Sequence, residues 1–205
     1  MMLHDGPRTA AMTVVLAHGA GAGMDTPFMT RMAEGLAETG LHVVRFEFPY
    51  MQRRRAEGGR RPPDRQPVLL DCWREVIAEL GEPGRLVIGG KSMGGRMASL
   101  IADEAGVAGL VCLGYPFHPA GKPERTRTEH LEGLATPALI LQGERDALGN
   151  REDVEGYSLS PAIAMHWLAD GNHDLKPRKA SGRDHEQNLA EAMAAIAAFV
   201  KALQP

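Results

Sequence analysis

Cysteine is nearly absent from this sequence: Cys72 and Cys112 are the two in 205 residues. Two thiols exclude a disulfide-stapled scaffold and a four-cysteine zinc site, and the apolar segments around them predict buried free thiols. No stretch approaches the roughly 18 consecutive apolar residues that a spanning helix needs, so no membrane association is expected. The first residues, Met1 to Arg8, lack a basic region followed by an apolar run, so no secretory signal is expected either. Free thiols without a signal lead us to expect a cytoplasmic protein. Neither sign of charge dominates: 23 Lys and Arg stand against 26 Asp and Glu, a formal charge of -3. Such a balance gives no reason to expect nucleic acid as a partner. His118, His130, His166 and His185 are scattered without metal-ligand spacing, so neither a metal nor an organic cofactor is expected.

What is present is the composition of one globular unit, 43% hydrophobic and 24% charged, and we expect a single domain over residues 1–205. Strand-like and helix-like segments alternate along it. Met12–Ala17 is β-branched and apolar and empties into His18-Gly19-Ala20-Gly21-Ala22-Gly23; Pro27–Thr39 has helical spacing and ends at Gly40. Leu41–Phe48 reads as a strand, Met51–Pro67 as an irregular Arg/Gly/Pro loop, and Val68–Leu80 as a helix. Further strands are expected at Leu86–Gly89, Val107–Gly114, Ala138–Gln142 and Ala164–Leu168, with a long polar loop from Tyr115 to Thr136, a short helix at Arg151–Gly156 and a terminal amphipathic helix at His185–Leu203. The alternation predicts an α/β fold, a mostly parallel sheet of about six strands with helices on both faces.

One corner carries chemistry. Gly90-Lys91-Ser92-Met93-Gly94 joins a buried strand to a helix, an arrangement that lifts the Ser92 hydroxyl clear of the sheet on a strained turn. The Met93 N–H would point at an anion forming beside that oxygen. A serine is a poor nucleophile unless a base and an orienting group stand beside it. Asp146 follows the strand Ala138–Gln142 and His173 follows Ala164–Leu168, so both open on the same sheet edge as Ser92. Glu144 is the reserve acid, while Asp170 and Asp174 read as turn and surface residues. The glycine loop lacks the Gly-Lys-Ser/Thr ending of a nucleotide P-loop, and residue 85, where the first glycine of that motif would have to precede Gly90, is arginine.

From Thr13 to the terminal helix the chain resembles the α/β-hydrolase superfamily, through His18-Gly19, Gly90-Lys91-Ser92-Met93-Gly94, Gly143-Glu144-Arg145-Asp146, Gly171-Asn172-His173 and the closing helix. Its small size resembles the dienelactone-hydrolase-like branch, with little or no lid and the leading hairpin largely missing. The resemblance implies a triad of Ser92, Asp146 and His173, an oxyanion hole of Met93 with Ala20 or Gly21, an anchoring role for His18, and hydrolysis of an ester or thioester. A non-catalytic binding module on the same fold, and a small serine peptidase, are the rival readings.

The arginines at 53, 54, 55, 60, 61 and 65 form the one marked local charge. They are either a solvated loop or a border of the cleft that holds a carboxylate or phosphate on the substrate. Arg53, Arg54 and Arg55 are the candidates for that contact. Lys91 either meets substrate too or points to solvent. An open site would suit a bulky substrate or a pocket completed by a second subunit in a homodimer.

Overall fold

The structure, a computed structural model, describes residues 2–204. Its elements are β1 (Met2–Asp5), β2 (Thr13–Ala17), α1 (Pro27–Glu38), β3 (His42–Phe46), α2 (Pro49–Glu57), α3 (Gln66–Leu80), β4 (Leu86–Lys91), α4 (Met93–Ser99), α5 (Ala102–Ala105), β5 (Gly109–Leu113), β6 (Ala138–Gly143), α6 (Arg151–Glu155), β7 (Ile163–Leu168) and α7 (His185–Ala202). Strands β3 to β6 are buried throughout, as continuous apolar runs in a sheet covered on both faces must be. Alternate residues feed two separate cores. Val15, Val44, Ile88 and Ile140 pack with Trp73 of α3 on one face. On the other, Val14, Val43, Val87 and Leu139 pack with Leu36 of α1 and Ile196 of α7.

The strand order is β1-β3-β2-β4-β5-β6-β7, parallel except for β1 against β3. The chain runs outward from β2 to β3 and then returns to the other side of β2 as β4. Loops leaving the carboxyl ends of β2 and β4 therefore diverge and open a crevice between them. The glycine loop and Ser92 stand there.

Two expectations need correction. The sheet has seven strands, because Met2–Asp5 pairs with Asp5 opposite Val43 and Met2 opposite Phe46. Arg45, almost wholly buried, fixes that edge by donating to Asp5 Oδ2 at 2.9 Å. The Arg/Gly/Pro segment is not irregular throughout: Pro49 sits at the first helical position and α2 runs to Glu57 before Gly58 ends it at φ 74°. In α2 only Tyr50 and Met51 are buried, so no apolar period marks the helix in the sequence. The segment from Tyr115 to Thr136 holds a single 3-10 turn, Glu129–Leu131, and no lid helix.

Candidate active site

Ser92 is the pivot between β4 and α4, with φ 50° and ψ -114°. A non-glycine residue there costs about 1–3 kcal/mol of backbone strain, so the surroundings must hold it. They do so at both peptide groups: Ser92 N–H donates to the Leu113 carbonyl at 3.0 Å, and its carbonyl accepts from Arg96 N–H at 3.0 Å. The glycines of the motif are required by the closeness of β2. A Cβ on Gly90 would lie 2.1 Å from the Ala17 carbonyl oxygen, and one on Gly94 would lie 2.4 Å from the same atom.

The loops after β6 and β7 bring Asp146 and His173 to this corner. His173 Nε2 stands 2.9 Å from Ser92 Oγ, and its Nδ1 stands 2.7 Å from Asp146 Oδ2. Asp146 is fully buried and accepts two further bonds, from Leu148 N–H at 2.8 Å and Gln142 Nε2 at 3.0 Å. An acceptor-only carboxylate on one ring nitrogen makes Nδ1 the donor and leaves Nε2 to accept the serine proton. Gln142 escaped the sequence reading. Fully buried at the end of β6, it also accepts from Tyr115 N–H at 2.7 Å and donates to the Gly149 carbonyl at 2.9 Å, tying the acid loop to the strand beside it.

On the other side of Ser92 the glycine loop is held by its carbonyls. Gly19 O accepts from His18 Nδ1 at 2.7 Å, Ala20 O from the Tyr50 hydroxyl at 2.9 Å, and Gly21 O from Arg54 Nη1 at 3.0 Å. The N–H groups of Ala20 and Gly21 donate to no protein acceptor among the described residues. His18 Nε2 accepts from Phe48 N–H at 3.1 Å, so the ring is neutral with its proton on Nδ1, and burial lowers its pKa in keeping with that. It anchors the loop and does not reach Ser92. A cavity of about 410 Å³ lies between this loop and the serine, walled by Gly19 to Gly23, Phe28, Ser92, His173 and Asp174.

A family model described as an alpha/beta hydrolase domain matches residues 10–201. The chain belongs to this alpha/beta hydrolase family. Solved structures share the fold at low identity. A serine hydrolase homologue from Coxiella burnetii aligns with a TM-score of 0.69 at 20% identity, covering 98% of this chain and 90% of that one. A serine hydrolase without a lid from Xanthomonas campestris gives 0.68 at 20% identity, covering 100% and 89%. Est1E from Butyrivibrio proteoclasticus, solved with ferulic acid bound, gives 0.72 at 14% identity, covering 98% and 95%.

Within this alpha/beta hydrolase the remaining expected residues fall as follows. Lys91 does not point to solvent: its side chain is buried, and Nζ donates to the His173 carbonyl at 2.7 Å, with Asp174 Oδ1 at 3.3 Å and the Phe28 ring 5.6 Å away. Burial lowers its pKa, opposed by Asp174. Lys91 thus fastens the loop that carries His173, though it also touches the cavity wall. Arg53 pairs with Asp64, and Arg55 with Glu47 and Asp25. Arg54 braces Gly21, and none of the three lines the cavity beside Ser92. Glu144 turns away to accept from Asp170 N–H and to pair with Arg151, and it is Asp146 that stands beside the His173 ring. Asp170 is the turn residue expected, at φ 52°, and Arg178 and Arg145 hold its carboxyl down to about 2.

Proposed function

We propose that this protein is a serine hydrolase that cleaves a carboxylic ester or thioester of a small acyl substrate. The observation that carries the reading is the bridging imidazole, 2.9 Å from the Ser92 hydroxyl and 2.7 Å from a fully buried carboxylate. Ser92 Oγ attacks the acyl carbon while His173 Nε2 takes its proton, and the carbonyl oxygen becomes an oxyanion facing Met93 N–H and the Ala20 or Gly21 N–H. When the tetrahedral intermediate collapses, the same proton passes from Nε2 to the leaving alcohol or thiol, leaving Ser92 acylated. A water then repeats the sequence, giving its proton to Nε2, releasing the acid and returning the proton to Ser92. Asp146 keeps Nδ1 protonated throughout and stabilises the imidazolium.

The glycine loop supports this division of labour, because three successive carbonyls are occupied by His18, Tyr50 and Arg54 while the intervening N–H groups stay available. Among the described residues no lid helix covers the cavity, which suits a bulky or solvent-exposed substrate. A fluorophosphonate is expected to label Ser92, and wild type is expected to hydrolyse short p-nitrophenyl esters or acyl thioesters. Ser92→Ala should abolish both, and Asp146→Asn should lower kcat by roughly 10⁴-fold by favouring the wrong tautomer. A folded wild type that is neither labelled nor active on either substrate class overturns the proposal.

A further inference from the structure

The outer face of α4 carries a second cavity that the catalytic reading does not use. It encloses about 470 Å³ and is lined by Arg96, Leu100, Thr126, Arg127, Glu129 and His130, none of which lines the cavity beside Ser92. Arginines elsewhere hold carboxylates, as Arg74 holds Glu104 and Arg178 holds Asp170. Among the described residues no ion pair involves Arg96, Arg125 or Arg127, and Glu129 at the same cavity reaches none of them. The Nε of Arg96 is enclosed and has no hydrogen-bond partner among the described residues. A shielded guanidinium N–H without an acceptor is costly, and two uncompensated cations beside one cavity repel each other.

The backbone around the cavity is nevertheless firmly built. Arg127 N–H donates to the Phe117 carbonyl at 2.7 Å, and the Arg127 carbonyl accepts from the Tyr115 hydroxyl at 3.2 Å. The Ser99 hydroxyl donates to the Arg96 carbonyl at 2.8 Å and lies 2.8 Å from His130 Nε2. With that hydroxyl proton committed, Nε2–H is the donor. The cavity wall thus supplies cationic donors on fixed backbone, and the carboxylate it does hold, Glu129, pairs with none of them among the described residues.

We propose that this cavity is an oxyanion-binding site, in which Arg96 and Arg127 hold the phosphoryl or carboxylate group of a small molecule. Guanidinium forks match the planar or tetrahedral oxygens of such groups and gain strength where water is partly excluded. Two features accord with a site poised for negative charge: burial and then Arg96 lower the Arg127 pKa, and the same two causes bring His130 to about 4. An anion would reverse the electrostatic part of both. The proposal concerns binding and does not rest on the hydrolase reading.

The test uses the full chain, with inorganic phosphate and succinate as separate probes and sodium chloride at matched ionic strength as the reference, since phosphate also stabilises proteins by exclusion. Wild type should show saturable perturbation of the His130 ring resonances and an upward shift of the His130 titration midpoint. The probe should also raise Tm above the chloride reference, with a dissociation constant of about 1 mM or tighter. Arg96→Gln and Arg127→Gln should each weaken binding at least about tenfold, while Arg127→Lys, which keeps the charge and loses the fork, should fall between. Response to phosphate but not succinate assigns a phosphoryl ligand; the reverse assigns a carboxylate. Should a glutamine variant not fold, the lysine variant and the His130 titration of wild type decide. No response of His130 to either anion, or equal stabilisation of wild type and the variants, overturns the proposal.

Discussion

At the scale of single residues, the side chains that shape the site most are ones whose partners lie far away in sequence. Lys91 adjoins Ser92, yet its ammonium holds the carbonyl of His173, 82 residues on. Lys91→Met keeps the volume of the stem and removes that tether. The His173 ring should then sample positions out of line with Ser92, and the rate of fluorophosphonate labelling should fall about 10- to 100-fold. Tm should change little, because the buried charge lost with the ammonium offsets the donor lost to the His173 carbonyl. A labelling rate within twofold of wild type would leave Lys91 no positioning role. Gln142 is the second case. Gln142→Leu strips partners from Tyr115 N–H, the Gly149 carbonyl and Asp146 in a fully buried place. Each group left unpaired costs about 1–3 kcal/mol, so a loss of at least about 2 kcal/mol is expected in urea denaturation.

Among the elements, the serine corner is where sequence and structure agree most closely, because every requirement there is local. An apolar strand, glycines that let two backbones touch, and a helix within one turn can all be read from Arg85 to Leu100. Gly94→Ala tests the packing reason for the motif. Its Cβ would meet Ala17 O at 2.4 Å and His18 O at 2.7 Å, both backbone atoms that cannot swing aside. A loss of about 3–5 kcal/mol is expected by thermal melting. Gly133→Ala, with nothing within 4 Å of its Cβ, should change stability by less than about 0.5 kcal/mol. Where burial is slight, the pattern fails. Helix α2 hides among arginines because Tyr50 and Met51 alone face the core, and β1 is four residues with none fully buried. Neither can show a periodicity, and both are made by partners: β1 by the edge of β3 and by Asp5 on Arg45.

For the molecule as a whole, the order of loops along one sheet edge was legible, since a parallel sheet forces each strand's carboxyl end to the same side. What could not be read was which charges find partners. Arg53 and Arg55 are spent on Asp64 and Glu47, while Arg96 and Arg127, which no local pattern distinguishes, pair with no carboxylate among the described residues. The buried histidines give this fold a pH dependence of definite sign. His18 and His130 are neutral in the native state, with pKa values lowered chiefly by burial, His130 to about 4. In the unfolded chain they return to about 6.5. Between pH 6.5 and 4 the unfolded state therefore binds more protons, and stability falls as pH falls; above pH 6.5 both states are neutral and this contribution is complete and flat. One such histidine sets a ceiling of about 1.4 kcal/mol per pH unit, reduced at the half-buried His130 by solvent screening. His130→Gln retains a side-chain donor for Ser99 and cannot titrate. Urea midpoints measured from pH 7.5 to 4 should decline less steeply in this variant than in wild type, with the curves converging on a common slope only below pH 4. Parallel curves across that window would show that His130 protonates as readily folded as unfolded, and that its burial beside Arg96 does not govern its charge.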